Sequence, residues 1–452
     1  MEPPVAAGGP GIAPASDEFA FREPSFELLP VEGERRSVVL LVLDTVRAQS
    51  LALYGGRVPM PNLERFAREA VVVDEALSHA TETCLSHWTL LTGVLPEIHG
   101  SVPKQRTTQY RGPNLADIAT RSEVPTGGFT AAPSLMRGVC GLSGFSDWRE
   151  DFAWETFEGE ERPGDEVARV AAGWAEAQTE PYFLFVNLFD AHTPYTPGAP
   201  WDTAFDPDYE GALDGSMESL APWMEELGVR APESARRHGE ALYEGEIAEL
   251  DEMVGVLLDA VGDDAVVVIT ADHGESFEHG YLFNHRAVVW QSVLHVPLLI
   301  RAPGLTPRRA SDGFFSLVDL APTLAELAGL PVDASMMGAS RAAWLRGDEG
   351  AAVPTVHHAR VNPWHGEGAV AVRLDDTKLA FDELSPTRTE LFDLVDDPGE
   401  LRPLDGPTAA HEQAYAAYRR AIDEAAGLRD PPRHGLPPEH VREQLQAIGY
   451  TE

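Results

Sequence analysis

The chain has 452 residues, 43% of them hydrophobic, and a formal net charge of −39. That length and apolar content suit a large folded α/β core with a smaller second domain, while the acid excess repels polyanions and argues against nucleic acid as a partner. The two cysteines, Cys84 and Cys140, are too few for a disulfide framework and lack zinc-finger spacing.

Residues 1–36 are rich in Pro, Gly, Ala and acid, with neither a basic start nor an apolar centre, and read as a loose arm rather than a signal peptide. No stretch reaches the length of a membrane span. The chain as given is therefore expected in the cytoplasm, or exported if a leader was removed. Strand Val38–Leu43 opens the core, and Leu63, Phe66 and Ala67 carry helical spacing through 62–70. Thr83 to Gly93 reads as a turn, then a short helix from Ser86 closed by Gly93. A helix over 114–121 and a strand over 183–189 follow, and Thr193 to about His238 reads as a loop-like lid or wall. Tyr243 to Val261 predicts an amphipathic helix leading into strand 265–269. Strand His295–Ile300 and helix Leu317–Leu330 complete an α/β domain over 37–350. Beyond it, Ala369–Phe381 and Glu390–Leu394 resemble short half-buried strands of a small antiparallel sheet. Helices at Thr408–Ala426 and Glu439–Ile448 finish a C-terminal α+β subdomain over 351–452.

Three apolar runs end in acid: Val38–Leu43 at Asp44, Phe183–Phe189 at Asp190, and Val266–Ile269 just before Asp272-His273. Ligands of open α/β sheets bind beyond the carboxyl ends of the strands, so these acids are expected to converge on one crevice. A strand-end acid alone is commonly a cap. Asp44 taken with the adjacent Asp272 and His273 offers carboxylate oxygens and an imidazole, a set that suits zinc, manganese, magnesium or calcium. Thr83 places a hydroxyl just before a helix N-terminus, where an incoming anion is stabilised.

The segment Thr83-Cys84-Leu85-Ser86-His87-Trp88-Thr89-Leu90-Leu91-Thr92-Gly93 resembles the nucleophile motif of the sulfatase family in the alkaline phosphatase superfamily. Leu43-Asp44-Thr45-Val46-Arg47, Asp190-Ala191-His192-Thr193-Pro194-Tyr195, Asp272-His273-Gly274-Glu275 and Glu390-Leu391-Phe392-Asp393-Leu394 match family patterns in order, so the resemblance spans roughly Ser37 to Tyr450. Anchored on Ser86 and Leu91-Thr92-Gly93, the nucleophile position falls on Thr83, not Cys84. Formylglycine sulfatases carry Cys or Ser there, with Pro two and Arg four residues on, where this chain has Leu85 and His87. Thr45 replaces their second acid, Gln49 stands where an acid is common, and Lys104 lacks the motif of their substrate-side lysine.

The resemblance implies an alkaline-phosphatase-like mixed sheet flanked by helices. It implies a metal-dependent hydrolase of phosphate, phosphonate or sulfate esters, with Asp44, Asp272, His273 and Thr83 at the metal and Thr83 as nucleophile. His285 and His192 become proton donors to the leaving group or, with Asp190, ligands of a second metal or the substrate. Glu275, Glu278 and His279 read as supporting or solvated groups, and Arg47 and His99 as structural. The substrate is a small-molecule ester. Three alternatives stand beside this reading: a formylglycine sulfatase using Cys84, a phosphoethanolamine-type transferase, and a catalytically silent binding homologue.

Overall fold

The computed structural model describes residues 27–428 except for 32, 101–109, 151–161, 225–229, 284, 286–287, 352–353, 355, 362–367 and 383–388. Among the described residues nine strands form the central sheet. Eight follow the order Phe315–Ser316, Val71–Leu77, His295–Arg301, Val266–Thr270, Val38–Leu43, Phe183–Leu188, Thr126–Thr130 and Asp147–Arg149; Arg308–Ala310 pairs with Val71–Leu77. Strands Val38–Leu43, Phe183–Leu188 and Val266–Thr270 are buried at every position. That is the signature of parallel strands covered on both faces, and it is why they read as unbroken apolar runs.

The mixed pairing aims one further segment at the same edge. Val71–Leu77 is antiparallel to His295–Arg301, which is itself antiparallel to Val266–Thr270. Two reversals restore the direction, so the chain leaving Leu77 emerges beside the carboxyl ends of Val266–Thr270 and Val38–Leu43. From there it enters the helix Thr83–Thr92, which starts three residues earlier than the expected Ser86 and is buried throughout. Gly93, at φ 65°, ends it in the left-handed conformation that glycine adopts without strain, and its N–H returns to Thr89 O (2.9 Å).

Other expectations shift in detail. The long helix runs Glu233–Asp259, ten residues ahead of its predicted start, and the preceding wall holds helices Trp201–Ala204 and Met217–Met224. Leu28–Leu29, inside the expected arm, pairs antiparallel with Val332–Asp333. Residues 1–26 and the helix expected at Glu439–Ile448 lie outside the described residues. Cys84 and Cys140 are joined in a disulfide closing a separation of 56 residues. Two cysteines are indeed no framework, yet one such bridge stabilises by about 4 kcal/mol in the loop-entropy picture.

The second sheet is small and antiparallel, in the order Val356–Arg360, Ala369–Leu374, Thr377–Asp382, Thr389–Asp393, with helix Ala409–Glu424 packed on it. A buried ion pair fastens it to the main domain. Lys378 pairs with Glu400, both 1% exposed in their side chains, and its Nζ donates to Val289 O (2.7 Å). Glu400 Oε2 accepts from Gln291 N (2.6 Å), so the segment from 289 to 291 is held by both charges. Replacing Lys378 by Met leaves the Glu400 carboxylate buried and uncompensated. Chemical denaturation should show a loss of about 3–5 kcal/mol, partly regained in Lys378→Met/Glu400→Gln.

Candidate active site

The sheet register decides which strand-end acids meet. Val42 is level with Thr270 on the neighbouring parallel strand, so Asp44 and Asp272 each lie two residues past that pair and point the same way. With His273 they form a fully buried group whose ligand atoms lie within 4.8 Å of one another. Asp190 does not join it. Leu43 is level with Leu188, so Asp190 lies one residue further out than Asp44, and one residue along a pleat turns a side chain to the other face. Its Oδ1 accepts instead from Gly164 N (3.1 Å).

The same parity reveals a residue that sequence reasoning missed. Asn187 is level with Val42 and Thr130 and so shares the Asp44 face. Its Nδ2 donates to Asp44 Oδ2 (3.1 Å), while its Oδ1 accepts from Thr130 Oγ1 and Ala132 N (both 3.2 Å). A lone amide in the otherwise apolar run Phe183–Phe189 was the available signal.

Asp272 is held by backbone: Oδ1 accepts from His273 N (2.9 Å) and Thr45 N (3.3 Å). Thr45 turns the chain at φ 57°, a costly conformation for a branched residue, and its hydroxyl donates to Asp44 O (2.7 Å). His273 Nδ1 donates to Gly274 O (3.0 Å), which leaves the lone pair on Nε2. Burial, more than anything else, holds its pKa down, which favours the neutral ring that a metal would need. Gly274 is required by close approach, since a Cβ there would lie 2.2 Å from Ser292 O.

Thr83 opens its helix, and the first intrahelical bond runs from Ser86 N to Glu82 O (3.0 Å), which puts the positive end of the helix at Thr83. His87, one turn on, donates from Nδ1 to Thr83 O (2.7 Å) and lies 3.5 Å from Asp272 Oδ2. Ser78 Oγ donates to Asp272 O (2.5 Å). The helix start is thereby tied to the Asp-His pair on two sides. Asp272 Oδ2, His273 Nε2, Thr83 Oγ1 and His87 Nε2 are buried without a hydrogen-bond partner among the described residues. Two buried carboxylates beside an imidazole lone pair and orphaned polar atoms fit a divalent cation, whose charge would offset part of the cost of burying them.

His285 stacks on His273 with ring centroids 4.8 Å apart and meets His192 edge-on at 5.3 Å. Its Nδ1 bonds to Glu275 Oε2 (2.8 Å), and Tyr195 OH donates to the same oxygen (3.1 Å). Burial pushes the Glu275 carboxyl up, but His285 and the Ser276 amide outweigh it and leave the group below its ordinary value. Glu275 is fully buried and so is a bonded support, not a solvated acid. His192 Nδ1 donates to Thr193 O (2.8 Å). Arg47 forms ion pairs with Glu240 and Glu278. Gln49 Nε2 donates to Glu278 (3.0 Å), His279 stacks on Trp290 at 3.9 Å, and His99 bonds to Thr89 (3.0 Å). Lys104 lies outside the described residues.

The family model described as Sulfatase matches residues 36–330, and that of the N-sulphoglucosamine sulphohydrolase C-terminal region matches 277–424. Arylsulfatase K of Xenopus laevis is 31% identical over 197 residues, 40% of this chain and 36% of its own length. The chain thus matches little more than a third of that relative. A multifunctional alkaline phosphatase superfamily protein, PehA of Trinickia caryophylli, is 23% identical over 383 residues, 65% of this chain and 74% of its own. The crystal structure of the phosphonate monoester hydrolase of Agrobacterium radiobacter superposes with a TM-score of 0.68 at 21% identity, covering 86% of this chain and 95% of that one. Among the described residues no helix is long and apolar enough to cross a membrane.

Two predictions follow from the groups around this site. Asn187→Ala frees Asp44 Oδ2 from its donor and should weaken metal binding about ten- to a hundredfold, read by calorimetric titration with calcium and manganese. On the far face, burial and then the Asp190 charge push Glu246 up to about 9, and burial lifts Asp190 to about 6. Between the ordinary carboxylate value and about 9 the folded chain holds a proton that the unfolded chain releases, so stability falls as pH rises through that window. Glu246→Gln should therefore raise Tm at about pH 8, with the two melting curves meeting near pH 4.

Proposed function

Because this chain belongs to the sulfatase family of the alkaline phosphatase superfamily, we propose that it hydrolyses sulfate or phosphonate esters of small molecules with Thr83 as the nucleophile. Phosphate esters are the chemically adjacent alternative. The observation that supports this reading is that His87 bonds to Thr83 O and lies 3.5 Å from Asp272 Oδ2, which links the Thr83 helix start to the group of Asp44, Asp272 and His273. Those three side chains would hold the divalent cation. When bound, the cation would lower the pKa of a hydroxyl beside it and draw charge from the non-bridging ester oxygens.

Thr83 Oγ1, as the alkoxide, forms a bond to sulfur or phosphorus in line with the departing ester oxygen. The N–H groups at the start of its helix face the charge that builds on the equatorial oxygens. The bond to the leaving oxygen breaks as that oxygen takes a proton from His285, whose Nδ1 side is held by Glu275. His192, 5.3 Å away ring to ring, stands as the second donor. Water then attacks the Thr83 ester, neutral His285 accepts its proton, and the alkoxide is restored.

The formylglycine alternative is disfavoured by the bond between Cys84 and Cys140. Replacing Thr83 by Ala should lower kcat by about a thousandfold or more on aryl sulfate and phenylphosphonate esters, while metal content by elemental analysis stays that of the parent. Turnover retained in Thr83→Ala would remove Thr83 from the mechanism, and purified protein that takes up no metal would remove the ligand assignment.

A further inference from the structure

Cys84 follows the proposed nucleophile by one residue, and its sulfur is bonded to Cys140 with both residues 1% exposed. The Cys140 segment is gripped a second time, since Trp88 Nε1, one turn further along the helix, donates to Cys140 O (3.0 Å). Followed back toward its strand, that segment leads to Ala132, whose N–H donates to Asn187 Oδ1 (3.2 Å), and Asn187 Nδ2 donates to Asp44. The bridge therefore joins the helix that carries Thr83 to the stretch that buttresses Asp44 from the opposite side. Both sides of the site meet through one covalent bond.

We propose that the Cys84–Cys140 disulfide is the positioning element for the nucleophile: it fixes the start of the Thr83 helix against the Asp44 side, and the enzyme turns over fully only in the oxidised form. This rests on Thr83 being the nucleophile. Closing the bridge takes two hydrogens from the two thiols and passes them to an oxidant such as dioxygen or a small disulfide. Opening it with a dithiol returns them and oxidises the dithiol. Cysteine held this way is unavailable for conversion to formylglycine, which would instead leave Cys140 as a lone thiol. Reactions that depend on a near-attack geometry lose about a hundredfold in rate for a displacement near one ångström, so a brace at this point acts on kcat rather than on binding.

Intact-mass and alkylation measurements on protein purified without reductant come first. The expected mass lies two hydrogens below that of the free-thiol chain, with no cysteine alkylated until reductant is added. Cys84→Ala, Cys140→Ala and the double variant should fold by circular dichroism and bind manganese with unchanged affinity. Each should lower kcat by about ten- to a hundredfold with KM within about twofold. Because all three remove the same bond, the double variant is expected to be no slower than either single one. Two alkylatable thiols in the parent protein, single-variant losses that multiply in the double, or an unchanged kcat in the double would each overturn the proposal. Should the variants fail to fold, the parent enzyme titrated with dithiothreitol decides. Activity should fall in step with thiol release and return on reoxidation, whereas full activity with both thiols titrated overturns it. Failure of the Thr83 reading is separately visible, because turnover retained in Thr83→Ala leaves the mass and alkylation results untouched.

Discussion

Asp44 and Asp272 are held side by side, out of water, by a sheet register that gives them no room to part. Like charges brought together in a low-dielectric interior repel strongly and forfeit their hydration. The surrounding structure does little to neutralise Asp272: its Oδ1 takes backbone amides from Thr45 and His273, and its Oδ2 is left facing His273 and His87. A point of this kind at the ends of the central strands fits a divalent cation. The tautomer of His273, the turn at Thr45 and the close packing at Gly274 all serve to aim lone pairs at that point.

Much of the main sheet was legible because burial on both faces writes itself as a continuous apolar run, as in Val38–Leu43, Phe183–Leu188 and Val266–Thr270. Five of its nine described strands, Val71–Leu77, Thr126–Thr130, Asp147–Arg149, Arg308–Ala310 and Phe315–Ser316, were not, and the first two show why. Val71–Leu77 carries Asp74 and Glu75 in its middle, where a register shift lets them turn outward to Arg309 and Arg373. Thr126–Thr130 is built on Gly127 and Gly128, glycines that weaken any strand reading. Their missing side chains are replaced by indole: a Cβ on Gly127 would lie 2.9 Å from Trp174, and one on Gly128 2.3 Å from Trp148. The apolar surface that would have announced the strand belongs to residues far along the chain.

The site shows the same division. Adjacent residues such as Asp272 and His273 can be read directly as a candidate ligand pair, and the structure brings Asp44 beside them. Convergence of Asp190 could not be judged without register, because counting strand ends ignores the pleat, and an offset of one residue sends its carboxylate to Gly164 and the acidic side of helix Glu233–Asp259. Parity also explains Asn187, which looked like an imperfection in an apolar run and is instead the donor that orients Asp44. The pairing of Cys84 with Cys140 had no local signature at all, since a separation of 56 residues is fixed only by the tertiary fold.

The two arms of the site differ in how they are held, and that difference bears on mechanism. The Asp44 and Asp272 side is set by sheet hydrogen bonds, which tolerate little displacement because neighbouring strands share the register. The Thr83 side hangs on a single helix start, reached through residues 78–82 and steadied by Ser78, His87 and the disulfide. Hydrogen bonds at a helix end open more readily than those inside a sheet. A covalent tie placed one residue from Thr83 answers that asymmetry, because it limits how far the hydroxyl can swing from the Asp-His pair without adding any group to the space a substrate would fill. His285 is secured by different means, with Glu275 on one nitrogen and the His273 ring against its face. Thr83, the Asp-His group and His285 are thus held mainly by different contacts, which meet at His273 and Asp272.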